Sequence, residues 1–198
     1  MGISIDDIKK LKELTGVGLT DAKGALVEAD GDFDKALEAM RKKGLTKAEK
    51  KGDRETREGI IESYVHSNRI GVVVEVNCET DFVARLPEFK EFAHQIAMQI
   101  AAMSPKYATV EDIPAEVYEA KKQELLASDE LQKKPENMRE QIAEGQLKKH
   151  FAEQVLFEQP YVLDDSMTVA DRVKEQIAKS GENIRVSQFK RIELGVTE

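Results

Sequence analysis

Apolar residues along this chain keep two rhythms, which change over near residue 58. Before it they recur every three or four positions. Ile5, Ile8, Leu11 and Leu14 hold helical spacing, and Ser4 with Asp7 stands where a capping box belongs. Thr15-Gly16-Val17-Gly18 ends that helix and permits a tight turn. Ala22, Ala25, Leu26 and Ala29 mark a second helix with a thin apolar stripe, broken at Asp30-Gly31. Asp32 is placed to cap a third, in which Phe33, Ala36, Leu37 and Met40 fall at i, i+3, i+4 and i+7. Beyond residue 58 the chain turns β-rich: the runs 60–66 and 70–78 are separated by Ser67-Asn68-Arg69, a hairpin signal. Ile70, Val72, Val74, Val76 and Cys78 share one face of the second strand, and Val73 on the other predicts that this face is half covered. Pro87 suits the first turn of a helix whose Phe89, Phe92, Ala93, Ile96, Ile100 and Met103 form a wide apolar stripe. Laid across the hairpin, that helix is the main stabilising element, at about 1.5–3 kcal/mol for each large side chain buried. Pro114 opens a more polar helix, and Met138, Ile142, Leu147, Phe151 and Val155 mark its partner after Pro135. Thr168 with Asp171 caps a last helix that ends at Gly181. The run 184–194 is a third strand, and its apolar phase slips between Val186 and Phe189, which predicts a bulge or a twist.

These elements predict an α+β chain. A three-helix bundle occupies residues 1–43, a basic linker 44–57, and a core 58–198 holds a small antiparallel sheet packed with helices and a helical hairpin. Three helices in about 40 residues are marginally stable alone; a bundle of this size resembles the ubiquitin-associated fold.

Composition narrows the function. Charged residues at 34% and hydrophobic ones at 40% place the chain among soluble globular proteins. No apolar run approaches the ~20 residues of a membrane span, and Asp6 and Asp7 stand where a secretory signal would be apolar. The single cysteine, Cys78, excludes an internal disulfide and a cysteine-pair zinc site. A cytoplasmic location, no membrane and no metal are the expectations. A net charge of -8 repels a phosphate backbone, so no direct contact with nucleic acid is expected. Two segments supply the rival reading of a nucleic-acid-binding protein. Residues 41–57 hold eight Lys/Arg against three acids, but no aromatic interleaves them to stack on a base. Thr15-Gly16-Val17-Gly18 is similar to the loop of a helix-hairpin-helix DNA binder, but residues 1–40 carry five Lys/Arg against nine acids. Nothing matches a phosphate-binding Gly-x-x-x-x-Gly-Lys-Ser/Thr loop, so no bound nucleotide and no cofactor are expected. His66, His94 and His150 are mutually distant and form no catalytic spacing, so the chain reads as a non-enzyme. Cys78, on the apolar face of its strand, reads as a buried inert thiol, and His94 as a satisfied, partly buried residue.

The most informative stretch is Asn77-Cys78-Glu79-Thr80-Asp81-Phe82-Val83-Ala84-Arg85. A carboxylate and a large aromatic stand together where the strand ends. Two readings of the residues stay open: Phe82 packs under the following helix while Asp81 caps it, or the pair is presented to a partner from a rigid base.

Thr80-Asp81-Phe82-Val83 resembles the signature of the bacterial elongation factor Ts family. Leu14-Thr15-Gly16-Val17-Gly18-Leu19-Thr20-Asp21 is similar to that family's first loop, Arg41-Lys42-Lys43-Gly44 and Arg57-Glu58-Gly59 to its linker boundaries, and Gly181-Glu182-Asn183-Ile184 to its last strand entry. The resemblance runs from about Ile5 to Gly195. It implies a guanine-nucleotide exchange factor for the translation GTPase elongation factor Tu. It assigns Asp81 and Phe82 to disturbing that GTPase's Mg²⁺ and phosphate site, with Thr80 and Val83 shaping the turn. It assigns Lys12, Thr15, Gly16 and Leu19 to docking on the nucleotide domain, and His66 to a partner contact from the core. Leu19-Thr20 departs from the two methionines common in the family; Leu19 keeps the apolar contact. The family carries one or two copies of the core subdomain. With one copy here, the resemblance implies a homodimer through the core. A third reading is a ubiquitin-associated-type adaptor without effect on any GTPase.

Overall fold

The computed structural model describes residues 3–15, 17–49 and 51–196. The N-terminal helices are α1 (Ile5–Thr15), α2 (Leu19–Glu28) and α3 (Phe33–Glu49). The expected caps are present: Asp7 N donates to Ser4 Oγ at 3.0 Å and Lys35 N to Asp32 Oδ1 at 3.1 Å. Leu11, Ala22, Ala25, Leu26, Ala36 and Met40 bury each other. Ile5 and Leu14 are exposed instead. A strict i+3 repeat drifts round a helix: at about 100° per residue, Leu14 lies half a turn from Ile5. α3 continues through residues expected in the linker and runs alongside a later helix, α9 (Val169–Ser180). The sequence reads residues 41–57 as solvated linker, part helical and mobile; its second half is fastened. Lys51 Nζ donates to Gly181 O at 2.6 Å, and the buried Asn183 side chain donates to the carbonyls of Gly52 and Arg54.

The core is built on β1 (Glu58–His66) and β2 (Ile70–Cys78), an antiparallel hairpin. Ser67 and Asn68 take positive φ at the turn, where a short polar side chain tolerates it. Gly59 lets the strands meet: a Cβ there would stand 2.3 Å from Val76 O. β5 (Arg185–Glu193) pairs with β2 on its other edge, giving the order β1-β2-β5. Of the bulge or twist expected, the strand has the bulge. Glu75 faces Gln188 and Val76 faces Val186, leaving Ser187 as the extra residue, with its hydroxyl on Asn77 Oδ1.

One face of this sheet is the floor of the main core. Val72, Val74, Val76 and Cys78 pack under α5 (Pro87–Met103) and α9. Phe89, Phe92, Ala93, Ile96 and Ile100 are fully buried; only Met103, last in the predicted stripe, is exposed. The capping box of Thr168 and Asp171 starts α9, and Gly181 ends it at φ 78°. The other sheet face is more open than Val73 implied: Val73 is 50% exposed, Ile61 74% and Ile192 72%.

Between α5 and α9 the chain makes a helical arm. α6 (Ala115–Leu126) packs against α8 (Glu136–Ala152), with α7 (Asp129–Gln132) at the bend. Tyr118 stacks on Phe151 at 5.6 Å between ring centroids. The arm's return is secured by buried Gln99 and Gln159, which bond each other and the carbonyls of Pro160, Met103 and Glu153. A two-stranded ribbon, β3 (Pro160–Tyr161) with β4 (Asp164–Thr168), follows; the sequence pattern did not predict it.

Candidate functional site: a braced turn presenting Phe82

β2 delivers the chain to the site as a stiff rod. Its last four residues include Val76, Asn77 and Cys78, all buried, so the segment that follows starts from a fixed point. Asp81–Ala84 then form a one-turn helix, α4, with Thr80 at the N-cap position but making no side-chain capping bond. The sequence placed Asp81 and Phe82 at the strand's end ahead of the next helix; they occupy this separate turn. Helical geometry sorts its side chains. Val83 and Ala84 face the core at 7% and 6% exposure, whereas Phe82, one step round the helix, is 78% exposed. The reading in which Phe82 packs beneath α5 is therefore excluded. Asp81 is half-buried and pairs with Arg85 at 2.8 Å, an i,i+4 contact that carries little energy where Arg85 is solvated.

The turn is braced across the chain. Glu79 N and Thr80 N each donate to Glu182 Oε2 at 3.0 Å, and Thr80 Oγ1 donates to Glu182 Oε1 at 2.6 Å. In return Asn183 N donates to Glu79 Oε1 at 2.6 Å, and Arg54 of the linker reaches the same oxygen at 3.4 Å. Two loops thus exchange carboxylates with each other's backbone. Sequence reasoning missed these residues. It noticed Glu182 and Asn183 only as a strand entry, and no local pattern connects them to a turn 102 residues earlier.

Cys78 lies beneath the turn. Its Sγ donates to Thr80 O at 3.2 Å and is buried. Burial, reinforced by the Glu182 charge, pushes the thiol up to about 11. The folded state therefore prefers the neutral thiol. Its contribution to stability is intact below the unfolded thiol's value near 9.0 and falls as pH rises from there through about 11. We expect labelling of this thiol at pH 8 to be slow in buffer and rapid in unfolding concentrations of urea, followed by release of a chromogenic disulfide reagent. Equal rates in both would show an accessible thiol.

The remaining predicted residues lie elsewhere. His66 is exposed at the β1–β2 turn, with Tyr64 Oη and His66 Nδ1 2.9 Å apart. β2 separates it from the Phe82 turn by its whole length, about 26 Å at ~3.3 Å per residue. The structure does not bring the two together. His94 is satisfied by Glu62 at 3.0 Å and by the edge of Tyr64. At the N-terminal loop Lys12 and Leu19 are exposed, whereas Thr15 is buried and its hydroxyl donates to Leu11 O at 2.6 Å. Gly16 lies outside the described residues. Among the described residues no group of three or more His, Cys, Asp or Glu side chains could hold a metal ion, and no helix is long and apolar enough to cross a membrane.

The family model described as elongation factor Ts matches residues 45–196. Elongation factor Ts of Thermotoga petrophila is 56% identical over 196 residues, covering 98% of each chain, and that of Thermotoga maritima matches equally. Elongation factor Ts of Caldanaerobacter subterraneus subsp. tengcongensis is 50% identical over 194 residues, covering 98% of this chain and 97% of its own. Both kinds of comparison describe an elongation factor. The chain belongs to the elongation factor Ts family, and the likeness spans the N-terminal helices as well as the core.

Proposed function

We propose that this chain is a guanine-nucleotide exchange factor for elongation factor Tu, acting in the cytoplasm and without covalent chemistry of its own. The observation that carries the reading is Phe82: a large aromatic, 78% exposed, on a turn braced from behind. Exposing a phenylalanine forgoes burial worth about 1.5–3 kcal/mol, which a partner's surface can return.

A translation GTPase holds GDP through backbone N–H groups, a lysine and Mg²⁺. An exchange factor must bind the emptied GTPase better than the filled one, and GDP then weakens the factor's binding by the same ratio. In this reading Phe82 displaces the elements around the metal site and Asp81 disturbs its hydrogen bonds. Thr80, held by Glu182, and Val83, held in the core, fix the turn that presents them. Lys12 and Leu19 offer an exposed charge and an exposed apolar side chain for docking on the nucleotide domain. The buried Thr15 shapes the end of α1, and His66 offers a separate contact at the far end of the hairpin. GDP release from elongation factor Tu, followed with and without the protein, tests the reading: strong stimulation supports it, and an unchanged rate rejects it.

A second part of the proposal is that two cores pair as a homodimer. The outer sheet face supports it: Ile61, Val65, Val73 and Ile192 are exposed together on three neighbouring strands. Two such faces can stack as sheets do, about 10 Å apart. Light scattering at micromolar concentration is expected to read the mass of two chains, and Val73→Asp to reduce it to one. A single-chain mass for the unaltered protein rejects the dimer.

A further inference from the structure

We infer that Glu182 is a positioning residue for exchange: it sets the orientation of the Asp81–Phe82 turn through its bonds to Thr80. The inference rests on the reading of Phe82 as the group that enters the GTPase. It concerns a residue that touches neither partner nor nucleotide in that reading.

Thr80 is the last residue before α4, so its backbone sets the direction in which the turn leaves β2. Every polar atom of Thr80 is engaged. Its N–H and hydroxyl both donate to Glu182, at 3.0 and 2.6 Å. Its carbonyl accepts from Ala84 N at 3.2 Å, closing the turn, and from Cys78 Sγ at 3.2 Å. Glu79, one residue earlier, gives its N–H to the same carboxylate. Both Glu182 oxygens are therefore committed to residues 79 and 80. Charge-assisted bonds of this kind are short and directional, and an ionised carboxylate suits three donors better than any neutral group.

Glu182 is itself well founded. It follows Gly181, the left-handed cap of α9, and Ser180 Oγ accepts its N–H at 3.2 Å. Asn183, next along, is buried and holds the linker carbonyls of Gly52 and Arg54. The end of α9 is thus a rigid post with the turn on one side and the linker on the other. Phe82, 78% exposed, has little packing to hold its direction. What aims it must be the backbone beneath it, and Glu182 is the side chain that grips that backbone. Residues that fix a reacting geometry change rate steeply, since a shift of about 1 Å can cost a hundredfold.

The test compares Glu182→Ala, Phe82→Ala and the double variant in stopped-flow release of fluorescent GDP from elongation factor Tu, with melting by circular dichroism beside it. Glu182→Ala is expected to lower the maximal stimulated rate about tenfold and to speed amide exchange at Glu79 and Thr80. The double variant should lose much less than the product of the two single losses, because once the ring is gone only Asp81 remains on the turn to be misaimed. Losses that multiply in the double variant would overturn the inference, since Glu182 would then act elsewhere. A wild-type rate for Glu182→Ala beside a slow Phe82→Ala would overturn it while leaving the Phe82 reading intact. A wild-type rate for Phe82→Ala would remove that reading and the inference with it. If Glu182→Ala melts early, Glu182→Gln carries the same comparison: it keeps one accepting oxygen and the side chain's size, and an intermediate loss that shrinks in the Phe82→Ala background supports the inference.

Discussion

Phe82→Ala is expected to slow stimulated GDP release from elongation factor Tu by about 30-fold or more, while the melting temperature stays close to that of the unaltered protein. The magnitude follows from treating Phe82 as an interface hot spot, at ~2 kcal/mol or above, with each 1.4 kcal/mol worth about a factor of ten. The absence of a stability effect follows from its exposure: surface side chains without packing partners change stability by about 0.5 kcal/mol or less. Stopped-flow release with a thermal melt on the same sample reads both quantities. A large loss of stability would show that the ring packs at home, and an unaltered rate would show that it does nothing to the GTPase.

Phe92→Ala is expected to give the opposite pattern. Ten positions along, Phe92 is fully buried between the sheet and α9, with the Arg172 guanidinium 5.0 Å over its ring. Truncating a buried phenylalanine costs about 3–5 kcal/mol, through lost transfer energy and the cavity left behind. Domains of this size hold about 5–15 kcal/mol in total. The melting temperature should fall by about 6–20 °C, at ~2–4 °C per kcal/mol for a chain of this length. Well below its transition the variant should still stimulate release, since Phe92 meets no partner. The two substitutions remove the same side chain and separate the work of folding from the work of contact. A Phe92→Ala protein that melts like the unaltered one would contradict the packing described for α5.

That contrast also separates what the residue pattern determines from what only tertiary contacts determine. Burial at period 2 along β2 and at period 3.6 along α5 was written in the residue types, because a hydrophobic face must find a floor. The caps at Ser4, Asp32 and Thr168, Pro87, Gly181 and the phase slip at Ser187 were legible for the same reason: each answers a local backbone requirement. α4 was not. A four-residue helix holds barely one period, so its residues carry no repeat, and only tertiary support keeps it folded. The β3–β4 ribbon escaped notice because Pro160 and Tyr161 are too few to alternate. The Gln99–Gln159 pair did so because polar residues buried by mutual bonding look like surface residues in a sequence. The openness of Phe82 was undecidable from pattern alone, since a phenylalanine beside an aspartate fits a core or a contact equally. Its brace was beyond reach for a different reason. Glu182 and Thr80 meet only after α9 and β5 have folded back onto β2, and no spacing in the chain announces that meeting.

The central claim is that Phe82 enters the metal-phosphate site of elongation factor Tu. A photo-reactive benzoyl-phenylalanine at position 82 tests it most directly: irradiate the complex with nucleotide-free elongation factor Tu, then map the linked peptide by mass spectrometry. The account predicts attachment to the GTPase segments that surround Mg²⁺ and the phosphates, suppressed by excess GDP. Attachment confined to another part of the GTPase, or to this protein's own chain, would contradict it.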